Sequence, residues 1–139
     1  MATIDATDLI LGRMCAIIAK RAMLGEKIEV VNCEKLLVSG NKRYTIVRYV
    51  ERIHRGTPFD GPYFPKTPES IVKRTIRGMI PYRKYHGEKA VKNIKCYFGV
   101  PETLKSKEAE TIASASVSSS NISRYITLRD LSRQLGAKK

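Results

Sequence analysis

The sequence predicts an α/β protein built on parallel strands and followed by a C-terminal extension of different character. Three observations lead there. "TIDAT", a helical stretch and "KIEVVNC" put strand, helix and strand within about 30 residues, the spacing of a βαβ crossover. Helical periods and short apolar runs then alternate as far as Pro101. Beyond it "ASASVSSSN" is small, polar and poorly periodic, which divides the chain into an α/β domain over 1–101 and an extension over 102–139.

Each element has its own justification. "TIDAT" reads as a short strand, and Asp8 is placed to cap a helix over "LILGRMCAIIAKRAML". Ile10, Met14, Ile17 and Ile18 share one face of that helix, Lys20 and Arg21 suit the dipole of its last turns, and Gly25 is its stop. "KIEVVNC" is a nearly continuous apolar strand, and "KLLVSG" a further extended piece. "NKRYTIVRYVERIH" is a second helix with Ile46, Val47, Val50 and Ile53 as its buried stripe; Gly56 and Pro58 end it. Proline and glycine break every period in "GTPFDGPYFPK", a loop. Thr67 caps a third helix and Pro68 starts it, with Ile71, Val72, Thr75, Ile76, Met79 and Ile80 inward and Pro81 as the stop. "YRKYHG" has no apolar period and reads as a projecting loop, and "NIKCYFGVP" as the closing strand.

In the extension, residues 111–124 have too few large apolar groups to offset the roughly 1–2 kcal/mol per residue of backbone ordering. They read as an arm that is mobile in isolation, so that removal of everything after Pro101 leaves the α/β part folded. "TLRDLSRQLG" offers a capping box at Thr127 and Asp130 and a short terminal helix carrying Leu128, Leu131 and Leu135. The glycosylation pattern at Asn121 is a chance match in a chain without a secretory signal.

Composition narrows the function. The 139 residues carry 26 Lys and Arg against 13 acids, a net charge of +13. The charge is uneven. Residues 1–40 balance five bases against five acids, whereas "KRTIRGMIPYRKYHGEKAVKNIK", residues 73–95, holds eight bases and the single acid Glu88. Repulsion of that density calls for a polyanion, nucleic acid above all. No apolar run approaches membrane-spanning length, and no basic helix carries the broad aromatic face of a membrane-surface helix. The three cysteines, Cys15, Cys33 and Cys96, are far apart in apolar settings and read as small core residues of a cytoplasmic protein.

Enzyme readings fail on their own motifs. "LILGRM" has one glycine where dinucleotide binding needs G-x-G-x-x-G, and "SGNKRYT" is not a P-loop. His54 and His86 lack a neighbouring Ser, Cys or paired carboxylate, and the acids are too thinly spread for a metal. The sequence implies no catalytic residue, no cofactor, no metal and no small-molecule substrate.

"DLILGRMCAIIAKRAMLGEKIEVVNCEKLLVSG" with "IRGMIPYRK" and "GEKAVKNIKCYFGVP" resembles the universal large-ribosomal-subunit protein thirteen family. "ETIASASVSSSNISRYITLRDLSRQLG" resembles its archaeal and eukaryotic branch, so practically the whole chain is covered. The resemblance implies a three-layer α/β/α domain around a four-stranded parallel sheet, binding to large-subunit ribosomal RNA, neighbouring large-subunit proteins as partners, and no enzymatic activity. The competing reading is an RNA-binding regulator or RNA-acting enzyme using the same surface outside the ribosome.

The candidate RNA contacts follow from placement. Lys42, Arg43, Arg48, Arg52 and Arg55 share the outer surface of the second helix, and Lys73, Arg74 and Arg77 that of the third. Arg83, Lys84, Lys89 and Lys92 continue the basic run, and Tyr82, Tyr85 and His86 offer rings for unpaired bases or sugars. Arg13 opposes the dipole of the first helix; an RNA contact or an ion pair to Asp5 or Asp8 explains it equally. Gly78 and Gly87 are either helix-terminating or points of close approach to a phosphate.

Overall fold

The computed structural model describes residues 2–57, 59–106, 108–120 and 122–137. Pro58, expected as a helix stop, and Asn121, the chance glycosylation match, lie outside the described residues. In chain order the first half holds β1 (Ala2–Asp5), α1 (Leu11–Met23), β2 (Ile28–Val31), β3 (Leu37–Ser39) and α2 (Lys42–His54). The second half holds α3 (Pro68–Met79), α4 (Tyr85–Lys92), β4 (Ile94–Cys96), β5 (Tyr125–Thr127) and α5 (Leu128–Gln134).

The βαβ unit is present. β1 and β2 run parallel with Ala2 opposite Ile28 and Asp5 opposite Val31, and β4 joins the far side of β2 with Ile28 opposite Ile94. Among the described residues this parallel sheet has three strands, in the order β1-β2-β4, where four were expected. The reason lies at Asn32, whose left-handed φ of 56° turns the chain out of β2 into a single 3-10 turn. β3 therefore leaves the sheet and pairs antiparallel with β5, Leu37 opposite Thr127 and Ser39 opposite Tyr125. The Asn32 amide also donates to Asp5 at 2.9 Å, and Thr7 donates to the same carboxylate from its N–H and its hydroxyl. Burial raises the Asp5 pKa, but the hydrogen bonds from Asn32 and Thr7 together outweigh it and hold the group below its ordinary value.

α1 begins later than its periodicity suggests. Asp8 does not cap it: Asp8 has a left-handed φ of 55° and the N-cap position falls to Ile10. Leu9 and Ile10 are drawn into pairing instead, the Leu9 carbonyl accepting from Leu37 N–H at 2.9 Å and Ile10 N–H donating to the Ala115 carbonyl at 2.8 Å. Gly25 does stop the helix, its N–H returning to the Ala22 carbonyl while Glu26 N–H reaches that of Arg21. The buried face of α1, with Met14, Cys15 and Ile18 fully enclosed, packs on α3 and α4.

Two stripes need correction. On α2, Val47 is exposed; Thr45, Ile46, Tyr49, Val50 and Ile53 face inward, the spacing of one helical face. On α3, Met79 is half exposed, whereas Ile71, Val72 and Ile76 are buried as expected. Thr67 holds the N-cap position, but its hydroxyl donates to Ser70 Oγ at 2.9 Å rather than serving a backbone N–H. The projecting loop expected at "YRKYHG" gives way at Tyr85 to α4, whose eight residues bury only Gly87 and Ala90, too few for a period to show.

The extension contributes to the core shared with the sheet. Ile112, Ala115, Ile126, Leu128, Leu131 and Leu135 belong to the same buried cluster as Ile4, Ile18 and Val30. Glu110 lies along the outer edge of β1, its N–H donating to the Thr3 carbonyl at 2.8 Å and its carbonyl accepting from Asp5 N–H at 3.0 Å. The N-cap half of the expected capping box forms, Asp130 N–H donating to Thr127 Oγ1 at 3.2 Å. Residues 112 and 115 are anchors that the small-residue reading of 111–124 passed over.

Candidate nucleic-acid interface

α2 and α3 bring their cations together over the loop between them. Phe64 is half-buried there, with the Arg74 guanidinium 4.5 Å from its ring centroid and that of Arg52 at 6.0 Å. Tyr49 meets the same ring edge-on at 5.6 Å and also carries Arg52 at 5.6 Å. Arg74 Nη1 donates to the Tyr63 carbonyl at 3.2 Å, which fixes its stem and leaves the rest of the fork free. Arg52, Arg55 and Arg74 line one cleft of about 260 Å³ with Phe64. Arg74 also lines the adjoining cleft with Lys73 and Arg77. Past the end of α3, Tyr82 carries Arg77 at 5.0 Å and Arg83 at 6.0 Å. Aromatic rings thus lie 4.5 to 6.0 Å from these guanidinium groups at the surface, each cation–π contact contributing about 0.5–1 kcal/mol where exposed.

Among the described residues no ion pair neutralises these charges. Among the described residues the ion pairs are Arg21–Glu26, Arg21–Glu110 and Lys92–Glu88, none on α2 or α3. Lys92 sits 2.7 Å from Glu88, whose hydrogen bond raises the lysine pKa and lowers its own. The other candidates lie apart from the Phe64 cluster. Arg13 donates to the Ser120 hydroxyl, so neither Asp5 nor Asp8 is its ion-pair partner. Lys42 borders a depression with Arg124 and Tyr125, and Lys92 another with Lys27 and Lys95. Arg43, Arg48, Lys84, Tyr85, His86 and Lys89 are exposed, with no side-chain hydrogen bond or ion pair among the described residues. Phe64 is the residue that sequence reasoning missed: nothing in a proline-rich loop marks one ring out as the support of two arginines.

The glycines separate. A Cβ at Gly87 would fall onto the Pro81 carbonyl group, so this glycine serves a close approach within the chain. At Gly78 a Cβ would meet nothing within 4 Å. Gly87→Ala is therefore expected to lower the thermal midpoint by several degrees. Gly78→Ala should hold or raise it, gaining up to about 1 kcal/mol of helix propensity. Parallel thermal melts of the two variants check this, and equal losses would contradict it.

The fold and this face define a class: a mixed α/β protein that presents cations backed by aromatic rings, without a carboxylate partner among the described residues, suited to a polyanion. The chain belongs to the Ribosomal protein L13 family, whose model matches residues 1–103. It is similar over nearly its whole length to curated archaeal proteins. The large ribosomal subunit protein uL13 of Methanosarcina barkeri is 45% identical, with 99% of each chain covered. That of Archaeoglobus fulgidus is 45% identical over 96% of this chain and 86% of its own. The Methanocaldococcus jannaschii protein of the same name is 40% identical, with 99% of each chain covered.

Proposed function

We infer that the chain is a structural constituent of the large ribosomal subunit, not an enzyme, and works in the cytoplasmic ribosome. The relatives bear the name of that subunit, and family membership supports binding to its RNA. The observation that carries the reading is the convergence of Arg52 and Arg74, from two helices, on Phe64 with no carboxylate partner among the described residues. Large-subunit ribosomal RNA is held there through phosphate oxygens, to which each guanidinium can offer two parallel donors. Lys42, Arg43, Arg48, Arg55, Lys73, Arg77, Arg83, Lys84, Lys89 and Lys92 extend the contact. Tyr85 and His86 meet bases or sugars at its edge, and Arg13 marks a separate contact near Ser120.

In this reading residues 1–101 carry the RNA-binding domain, and 102–139 form the extension that also meets neighbouring ribosomal proteins. The finer description of the fold is a three-layer α/β/α domain about the parallel sheet, with β3 lying beside it in its antiparallel pairing with β5. The test is co-sedimentation of the native protein with large subunits at moderate salt. Recovery of the protein free at the top of the gradient, with subunits intact, would contradict the assignment.

A further inference from the structure

The loop between α2 and α3 holds the ring of Phe59 out into solvent, with Tyr63 four residues on. Phe59 is 91% exposed and Tyr63 68%. An exposed aromatic on a slack loop would carry little meaning, but this turn is braced from within. Gly61 N–H donates to the Thr57 carbonyl at 3.0 Å, Asp60 N–H to Thr57 Oγ1 at 3.2 Å, and the Tyr63 hydroxyl to the Phe59 carbonyl at 3.1 Å. A Cβ at Gly56 would fall onto the Gly61 carbonyl, so the two arms of the turn are in direct backbone contact. Arg74 holds the outgoing arm through the Tyr63 carbonyl.

We propose that Phe59, supported by Tyr63, is a stacking platform for one unpaired nucleobase, set beside the phosphate-binding arginines. The inference rests on the reading of α2 and α3 as an RNA face and names how that face meets a base. The surroundings choose the occupant. Arg55 and Lys66 line the hollow beside Tyr63, so a strand approaching the rings does so through a cationic field that draws phosphates and repels a basic partner. A base has a π-face for the ring and a phosphate for the neighbouring arginines, and stacking tolerates any base. A platform ordered before binding loses little conformational freedom when the base arrives. The turn bracing gives this platform a positioning residue as well. Tyr63→Phe keeps the ring and removes the hydroxyl that ties the turn to the Phe59 carbonyl.

The experiment uses the full-length protein and two RNA hairpins, one fully paired and one with a single bulged 2-aminopurine, whose fluorescence is quenched on stacking. The wild type should bind the bulged hairpin about tenfold more tightly, the ratio that one stacked base supplies, and quench it. Phe59→Ala should erase the preference and the quenching while binding the paired hairpin as before, with an unchanged thermal midpoint. Tyr63→Phe should keep part of the preference, and Phe59→Trp all of it. Equal wild-type affinity for the two hairpins would overturn the platform while leaving phosphate binding intact. If Phe59→Ala then impaired only assembly into the subunit, the rings would belong against a neighbouring protein. Failure to bind either hairpin at low salt would overturn the RNA face itself, and the platform with it.

Discussion

Ile76→Asp is expected to leave the protein unfolded at room temperature, while Arg77→Ala, one residue on, melts like the parent. Ile76 is 1% exposed in the centre of α3's inward stripe, within the cluster that joins α1, the sheet and α5. Aspartate there loses about 2–3 kcal/mol of apolar burial and adds several kcal/mol for a carboxylate without a partner. Domains of this size hold about 5–15 kcal/mol in total, so the folded state becomes a minority species. Arg77 points outward, and its loss removes one stacking contact on Tyr82 at 5.0 Å and one candidate phosphate contact. Circular dichroism melts of both variants, with RNA binding measured on Arg77→Ala, check the pair. Equal thermal damage would mean that the faces of α3 are assigned wrongly.

Removing residues after Pro101 is expected to collapse the stability of the remainder, although the sequence alone suggests a separable domain. The cut deletes Ile112, Ala115, Ile126, Leu128, Leu131 and Leu135 from the shared core. It also strips β3 of its partner β5, and the outer edge of β1 of Glu110. Each large buried side chain contributes about 1.5–3 kcal/mol, so the loss is comparable to the whole stability of an ordinary domain. Leu131→Ala is the gentler version, with an expected cost of about 2–5 kcal/mol. Amide exchange on Leu131→Ala should show faster exchange in β1 and β2 as well as in α5. A fully protected sheet in the truncated chain would restore the separable domain.

What the sequence made legible follows physical signal strength. β2 and the inward faces of α1 and α3 were readable because long apolar periods are encoded locally. The N-cap at Thr127 was readable for the same reason: its donor and acceptor lie three residues apart. β3 was readable as an extended piece, but β5 and the pairing between them were not, because that pairing joins segments some ninety residues apart. α4 was missed because eight residues give barely two turns. The cationic faces of α2 and α3 could be read from spacing alone. Their convergence on Phe64 could not, since the ring belongs to neither helix and its place is set by tertiary packing.

The central claim is that this face engages RNA through phosphates, and its most direct measurement is the salt dependence of binding to a large-subunit ribosomal RNA fragment. With some six phosphates engaged, affinity should fall about 10³-fold or more between about 50 and 200 mM monovalent salt. Arg52→Ala with Arg74→Ala should lower the slope of log affinity against log salt by about two contacts while the protein stays folded. A flat salt response in the wild type, or an unchanged slope in the double variant, would contradict the account.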